Sequence, residues 1–291
     1  MKFSKKIKHE AVYWLILGFK KLVQWLPFKL AKILGSFIAT VGFYLISKNR
    51  KRTLTNLHNI YSAKLTLPET KSLALATYRH WAKCVIELLS IEKWTPAQFE
   101  KVIKIERREI LDNLRKENQG LICVLAHYGN WELAGAYFAK VWKESINVVG
   151  NELYDKKVDR LLNDLRENVG LKILARGNAL KSSLKSIKQK EVLAIMADYH
   201  GGGETINLPF LESTIDFPVA PLYLAYRSNV PVLPLFVVRQ ADDTHLLCFE
   251  KPLQKGIIPD GKADFEHFVG QFVALIEKYI RRAPTQWAWM E

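Results

Sequence analysis

Short apolar runs alternate with amphipathic stretches through the chain after Gly120, and this alternation constrains the fold more than any other feature of the sequence. The short runs have the length of strands buried on both faces, and the stretches between them repeat apolar residues at helical spacing. The predicted strands are 121–126, 146–149, 171–174, 192–196, 231–238 and 244–250, and the predicted helices are 131–140, 155–169, 178–189, 219–227 and 263–282. The alternation predicts an α/β fold with a central, mostly parallel sheet flanked by helices.

Two further segments complete this expectation. Residues 68–90 repeat apolar side chains at helical spacing, and Thr66 is placed to cap the helix that they predict. Residues 199–218 carry several Gly and Pro residues and are interpreted as a long loop. Because long loops inside compact domains usually have a function, we expect this one to lie near a site.

Positive charge is concentrated at the start of the chain. Residues 1–60 contain twelve Lys and Arg against Glu10 alone, which gives +11 of the formal net charge of +14. These basic residues are interleaved with apolar runs rather than spread over a working face, so we expect an anionic membrane surface as the partner and no nucleic acid. The predicted organisation is a basic, apolar, membrane-associating helical segment at 1–50, followed by one α/β domain at 51–291.

The apolar runs of the first segment are short for a membrane span. Ala11–Phe19 has nine residues and Ile33–Ser47 has fifteen without a charge, whereas a spanning helix needs about 20. We therefore favour helices that lie in the membrane interface, with a single N-terminal anchor as the alternative. A solvated basic helix and a signal peptide are the other interpretations, although Lys20-Lys21 stands where a cleavage site would have small residues.

Several classes of active site lack their parts. The three cysteines are far apart and form no C-x-x-C, which indicates neither a disulfide framework nor a zinc site. Neither a nucleophile elbow of the G-x-S-x-G type nor a phosphate-binding loop ending in G-K-S/T occurs in the sequence. We therefore predict no bound metal. The mechanism left by this elimination is catalysis without a covalent enzyme intermediate.

One block combines a base and a carboxylate where a strand gives way to a helix. In Ala126–Leu133, His127 ends the predicted strand, Gly129 supplies a turn, Asn130 caps the helix and Glu132 lies in its first turn. On this arrangement Glu132 folds back toward the imidazole and His127 acts as a general base. Taken alone the spacing H-x4-E is a weak signal, and a histidine that only ends a strand is the structural alternative.

Other residues are secondary candidates. Arg166, in the helix 155–169, offers a fork of donors for a phosphate or a thioester oxygen, or it is a surface residue at a helix end. Asp198 follows a predicted strand, where open sheets place ligand-binding groups. His200 and Glu204 form a second histidine–carboxylate pair in the Gly-rich loop, although a flexible lid is the simpler interpretation.

Taken together, these blocks resemble the lipid A late acyltransferases within the lysophospholipid acyltransferase superfamily. The resemblance runs almost from end to end, and the order and spacing of its blocks are specific although each block alone is not. The blocks are Asn49-Arg50-Lys51-Arg52 with Asn56-Leu57, Glu87, the His127–Glu132 block, Arg166–Gly170, Ala197-Asp198, Leu208-Pro209-Phe210 with Thr214, and Arg282–Trp289.

The resemblance implies both a reaction and residue roles. It makes His127 and Glu132 the catalytic pair and matches Arg166 to the family's functional arginine, and we assign Asp198, Asn130 and Gly129 to substrate binding. The implied reaction moves a fatty acyl chain from an acyl carrier protein or coenzyme A thioester to a hydroxyl of a lipid A precursor or related glycolipid. The thioester is a co-substrate, and no cofactor is expected. The expected location is the cytoplasmic face of the bacterial inner membrane.

Departures from the family pattern bear on the acceptor. Gly150-Asn151 stands where members commonly have Tyr-Arg, and Tyr199 follows Asp198 where Gln is usual. A glycerophospholipid or an amino-acid-headed lipid is therefore the alternative acceptor. Two further alternatives are a catalytically silent, membrane-binding homologue and a thioesterase in which water replaces the lipid hydroxyl.

Overall fold

The computed structural model describes residues 2–61, 64–150, 154–198 and 203–290, without the side chains of 2–8, 175 and 176. The main helices are α1 (Lys2–Trp25), α2 (Phe28–Leu45), α3 (Ser47–Tyr61), α4 (Leu67–Ser90), α5 (Pro96–Val102), α6 (Arg108–Lys116), α7 (Trp131–Lys140), α8 (Lys156–Glu167), α9 (Ala179–Lys188), α10 (Ala220–Arg227) and α11 (Gly261–Arg282). The strands are β1 (Ile103–Glu106), β2 (Leu121–Leu125), β3 (Ile146–Gly150), β4 (Lys172–Ala175), β5 (Val192–Met196), β6 (Thr205–Phe210), β7 (Ser213–Pro218), β8 (Val232–Arg239) and β9 (His245–Phe249).

Seven strands form one twisted sheet in the order β1-β9-β8-β2-β5-β3-β4. The five strands from β8 to β4 are parallel, and β9 returns antiparallel to β8 with β1 parallel to it. The predicted α/β fold with a mostly parallel, helix-flanked sheet is therefore confirmed. We call the edge at which the five parallel strands end the carboxyl edge, because it carries the side chains discussed below.

The sheet is buried on both faces, which explains its apolar strands. All five residues of β2 are buried, as are seven of the eight residues of β8. Helix α11 packs on one face with Phe268 and Phe272, whereas α7 packs on the other with Leu133 and Phe138. The two layers form separate apolar clusters, as expected of a sheet covered on both sides.

The N-terminal helices pack on α4 as well as presenting apolar surface. Helix α2 contacts α4 along its length, and Lys32 pairs with Asp243 at 3.1 Å. Among the described residues, α2 is the one helix whose length and hydropathy would let it cross a membrane, and most of it is not buried in the protein. The expected helical segment at 1–50 is present, but α3 runs across residue 50, and the domain boundary stays a prediction.

Sequence patterns located the helices and the long strands well. The predicted elements from residue 68 onward agree with the observed bounds to within two residues. Thr66 caps α4 as predicted, and it does so in a capping box with Glu69. The short elements β1, α5 and α6 were not predicted. Of these, β1 is an edge strand of only four residues with the exposed Lys104 within it, so its pattern is weak.

The interpretation of 199–218 as a loop was wrong over most of its length. Strands β6 and β7 form an antiparallel hairpin there, apart from the main sheet. Both strands of a two-stranded ribbon are edges, so Pro209 and Pro218 are tolerated within them. The turn contains Leu211 at φ 53° instead of a glycine, and the sequence therefore gave no turn signal there.

Candidate active site

His127 is placed by a sharp bend between β2 and α7. Gly129 has φ 63°, and a Cβ atom there would lie 1.5 Å from the carbonyl oxygen of Val237. Only glycine fits, both because of the left-handed backbone and because of this close approach. The prediction that Gly129 supplies the turn is confirmed. The bend leaves His127 at the carboxyl edge and starts α7 at Trp131.

The carboxylate hydrogen bonded to the imidazole is that of Asp198. Its Oδ1 lies 2.7 Å from His127 Nδ1, and its Oδ2 accepts the His127 backbone N–H at 2.7 Å. The third hydrogen bond to the carboxylate comes from Trp287 Nε1, which donates to Oδ2 at 3.1 Å. Because the carboxylate accepts at Nδ1, the imidazole carries its hydrogen there and has its lone pair on Nε2.

Sheet register explains why these two residues meet. Strands β2 and β5 are neighbours, and Leu125 lies opposite Met196. The residues two positions further on, His127 and Asp198, therefore leave the carboxyl edge side by side. Asp198 is almost fully buried behind the ring, whereas the His127 side chain is partly exposed.

Glu132 has a different partner from the one predicted. It lies in the first turn of α7, as expected, but its carboxylate pairs with Arg166 of α8, at 3.0 and 3.2 Å from Nε. Burial of Arg166 disfavours its charge, but Glu132 outweighs this and raises the pKa of the guanidinium. The expected contact of Glu132 with the imidazole is replaced by the Asp198 contact, since the register of β2 and β5 brings Asp198 to Nδ1.

Asn130 stands at the N-cap position of α7, but its side chain makes no capping hydrogen bond. Its Nδ2 instead donates to Glu87 at 2.6 Å. The same carboxylate accepts two hydrogen bonds from Arg239, at 2.6 and 2.7 Å, and contacts His245 Nε2 at 3.1 Å. The prediction of a side-chain cap was wrong, because a fully buried carboxylate provides a stronger acceptor for the amide.

The Glu87 carboxylate keeps its charge despite full burial. Desolvation raises its pKa, but His245 and Arg239 outweigh this effect and hold the pKa below the ordinary value of 4.5. A group with a depressed folded-state pKa contributes stability that is complete above its unfolded pKa and is lost as the pH falls toward the folded one. We therefore assign Glu87 a structural role in holding the loop that carries His127.

Changing Glu87 to Gln should destabilise the protein by about 3–5 kcal/mol, since it leaves the Arg239 charge buried without its counter-ion. The measurement is the midpoint of thermal unfolding followed by circular dichroism in detergent. The variant should also lack the part of the expected decline in stability below about pH 4.5 that comes from protonation of Glu87. Glu212→Gln removes a carboxylate paired with Lys64 and Arg281 at the surface and serves as the control, with little expected change. Equal midpoints for the two variants would contradict this role.

A C-terminal segment holds the backbone of the His127 loop from the other side. We call residues 286–289 the C-terminal clamp. Its Ala288 N–H donates to the His127 carbonyl at 3.0 Å, and the Gly129 N–H donates to the Gln286 carbonyl at 2.9 Å. The sequence singled out this segment by resemblance only. Its contacts with His127 and Asp198 could not be foreseen, because they join residues that lie far apart in the chain.

An apolar cavity of about 1140 Å³ opens beside His127. Glu132, Arg166, Glu204 and Arg227 supply its charged side chains, and most of the other lining residues are apolar. Most of the strand residues that line it are alternate residues of β2, β5 and β3 on one face of the sheet, namely Leu125, Cys123, Met196, Ala194, Val192, Gly150, Val148 and Ile146, and Ile195 and Val149 line it from the other face. From the level of Asp198 to that of Val192 the cavity runs about 20 Å, at ~3.3 Å per strand residue. Its shape and lining suit a long hydrocarbon chain.

The second histidine–carboxylate pair is only partly described. Glu204 lines the cavity, whereas His200, with Tyr199, lies outside the described residues, as does Asn151. The interpretation of His200 and Glu204 as a pair therefore stays a prediction. Within the described ranges, no group of three or more His, Cys, Asp and Glu side chains could hold a metal ion.

A histidine backed by a carboxylate, at the carboxyl edge of an α/β sheet and beside a long apolar cavity, provides the base and the binding space that an enzyme acting on acyl chains needs. The sequence matches the family described as bacterial lipid A biosynthesis acyltransferase over residues 1–291. The chain belongs to this family. Membership makes it an acyltransferase that acts on lipid A, and it confirms the resemblance drawn from the sequence.

Two relatives agree with the family. The chain is 22% identical over 296 residues to the lipid A biosynthesis palmitoleoyltransferase of Escherichia coli (strain K12), covering 99% of this chain and 93% of the relative. It is similar to the same extent, with the same coverage, to the lipid A biosynthesis acyltransferase of Shigella flexneri.

Proposed function

We propose that the protein transfers a fatty acyl chain from an acyl carrier protein or coenzyme A thioester to a hydroxyl of a lipid A precursor or related glycolipid. The observation that carries the proposal is the His127–Asp198 pair at the mouth of an apolar cavity of about 1140 Å³. The pair suits proton transfer from a hydroxyl, and the cavity suits the acyl chain of the thioester. The E. coli relative carries a palmitoleoyltransferase name, which fits a donor with a long chain.

In the proposed mechanism His127 acts as the general base. Asp198 holds the Nδ1 hydrogen, and Nε2 takes the proton of the acceptor hydroxyl as its oxygen attacks the thioester carbonyl. The tetrahedral intermediate then collapses, the carbon–sulfur bond breaks, and the imidazolium returns the proton to the leaving thiolate. The products are an ester and a free thiol, so no cofactor is required and no covalent acyl-enzyme is formed.

Glu132 and Arg166 act together in this proposal. Glu132 occupies Nε and Nη2 of the guanidinium, and none of the described residues bonds Nη1. Arg166 is therefore held rigidly in the cavity wall with one nitrogen available to a phosphate of the acceptor or to the developing oxyanion. Backbone N–H groups at the start of α7, near Asn130, can supply further donors. Glu132 therefore belongs to the proposed active site as the residue that positions Arg166, and not as the partner of the imidazole.

The proposed location is the cytoplasmic face of the bacterial inner membrane. Support comes from the charge of +11 in residues 1–60 and from the exposed apolar face of α2. Each Lys or Arg near an anionic leaflet contributes about 1 kcal/mol of attraction. The protein would meet its lipid acceptor in the bilayer and its thioester donor from the cytoplasm.

The test is a reconstituted reaction read by mass spectrometry. The purified protein is incubated with an under-acylated lipid A precursor and, in separate reactions, with acyl carrier protein and coenzyme A thioesters of one chain length. The proposal expects the lipid mass to rise by one acyl group with at least one donor. Thioester loss without a lipid product would indicate a thioesterase instead, and an acylated glycerophospholipid with unchanged lipid A precursor would move the acceptor to that class.

The floor of the cavity should set the length of the transferred chain. Ala194 lies opposite Cys123 in the sheet, deep in the cavity, so Ala194→Phe should exclude the end of a long chain. Each methylene that no longer fits loses about 0.8 kcal/mol of burial, or roughly fourfold in affinity. Competition between donors of different lengths should therefore shift toward shorter chains. Ala97→Phe, on the exposed surface of α5, is the control. An unchanged preference in a folded Ala194→Phe protein would contradict this role of the floor.

A further inference from the structure

Helix α9 exposes apolar side chains and buries polar ones. Leu180 and Leu184 are 62% and 43% exposed, whereas Ser183 and Ser186 are buried. A surface helix ordinarily turns its apolar residues toward the core and its polar residues outward. The sheet side of α9 thus carries hydroxyl groups, and the outward side carries one leucine on each of two successive turns. This arrangement calls for an apolar environment outside the helix.

The same helix is strongly basic. Residues 168–190 contain six Lys and Arg and no Asp or Glu, and Lys181, Lys185 and Lys188 are exposed on α9 itself. We use the name α9 face for Leu180, Leu184 and these three lysines. Exposed leucines flanked by lysines are typical of a helix that lies in the interface of an anionic membrane.

The two leucines of the α9 face also line the acyl cavity. Leu180, Ser183 and Leu184 all line the cavity, and no residue in the described part of the chain hydrogen bonds the buried Ser183 hydroxyl. The two leucines thus line the cavity and are also exposed to solvent. Tyr223 of α10 also lines the cavity and is 50% exposed.

A different exposed apolar patch lies on helix α1 of the N-terminal segment. Asp155, at the start of α8, contacts His9 of α1 at 2.6 Å, and this brings α1 to the carboxyl edge. The neighbouring residues of α1 include the exposed Trp14 and Leu15. A non-obligate protein interface is on the whole no more apolar than other surface, so exposed leucines beside lysines favour lipid over an acidic protein.

We propose that the α9 face is a second membrane-contact surface, which inserts into an anionic bilayer and places the open side of the acyl cavity against the lipid. It is separate from the basic N-terminal segment. The membrane contact itself does not depend on the proposed function. Only its purpose rests on that function, namely that lipid chains reach the cavity without crossing water.

The test uses a fluorescent probe at position 184. The native cysteines Cys84, Cys123 and Cys248 are all buried, so a Leu184→Cys variant can be labelled selectively with an environment-sensitive dye. The labelled full chain is mixed with vesicles of phosphatidylcholine and phosphatidylglycerol that carry a quencher in their acyl chains. We expect a blue shift and the loss of most of the emission, and both effects should weaken in a Lys181→Gln, Lys185→Gln, Lys188→Gln background.

Ile257→Cys is the matched control. Ile257 is 52% exposed, but Lys255 beside it bonds the Tyr226 and Ser228 carbonyls, close to where β8 begins at the opposite edge of the sheet. Its probe should keep its emission when vesicles are added. A probe at 184 that stays unchanged while the protein co-sediments with the vesicles would overturn the inference.

A response at 184 to acyl carrier protein, with none to vesicles, would overturn it equally and assign the α9 face to the donor. Transfer by the unlabelled protein in detergent micelles is measured alongside. Failure of that transfer would count against the proposed function, whereas the vesicle result stands independently of it.

Discussion

Replacing His127 by Ala should lower kcat for acyl transfer by about 10²- to 10⁴-fold, because a positioned general base contributes that much. The imidazole is the group that Asp198 orients beside the cavity, and the variant leaves the acceptor hydroxyl without a base. The KM for the thioester should change little, since the acyl chain binds to the apolar walls, which are unaltered. The measurement is initial-rate kinetics with the purified protein in detergent micelles.

His267→Ala is the matched control, because His267 is exposed on α11, away from the carboxyl edge. It should keep the full rate. The unfolding midpoint of His127→Ala should stay close to that of the unchanged protein, since its side chain is partly exposed. Retention of the original kcat by a folded His127→Ala protein would exclude the base mechanism.

Asp198→Asn should lower kcat by about 10³- to 10⁴-fold with little change in KM. The amide is nearly the same size, but it can offer a hydrogen to Nδ1 and so favours the tautomer whose Nε2 carries hydrogen and cannot act as a base. Asp198 touches neither substrate in the proposed mechanism and is a positioning residue. A fall in kcat with an unchanged KM is therefore the informative readout. A merely structural defect would, in addition, lower the unfolding midpoint.

Two further variants should have smaller effects on the kinetics than Asp198→Asn. Trp287→Phe removes only the Nε1 hydrogen bond to Asp198 Oδ2 and should cause a small part of the loss in kcat. Glu132→Gln weakens the hold on Arg166 and should raise KM for a phosphorylated acceptor. If Glu132→Gln instead abolished kcat while Asp198→Asn kept it, then Glu132 would be the functional partner of His127.

The sequence predicted the fold well because fold depends on local pattern. Apolar runs of strand length, such as that of β2, are buried on both faces whatever their neighbours are, and α7 begins and ends where the pattern places it. Gly129 was equally readable, since a turn between strand and helix needs a residue that tolerates positive φ. The hairpin of β6 and β7 was missed because its prolines are residues that local rules assign to loops, and because its turn residue Leu211 carries no turn signal.

The carboxylate that pairs with the imidazole could not be predicted from the spacing of residues in the sequence. Glu132 is five residues from His127 and Asp198 is seventy-one residues away, so only the pairing of β2 with β5 brings the second carboxylate to Nδ1. The buried acceptor for Asn130 was likewise invisible, because Glu87 lies on a distant helix. Local pattern thus located the catalytic loop, whereas tertiary register determined which groups it meets.

The C-terminal clamp links catalytic competence to the order of synthesis. Every strand of the sheet precedes Gln286 in the chain, so the sheet can assemble on the ribosome before the clamp residues emerge. Until they do, the carbonyl of His127 lacks its bond to Ala288 and Asp198 lacks its indole donor. A nascent chain, or one cut short by a premature stop codon before Gln286, would therefore contain every strand of the sheet while its His127 loop stays unsecured.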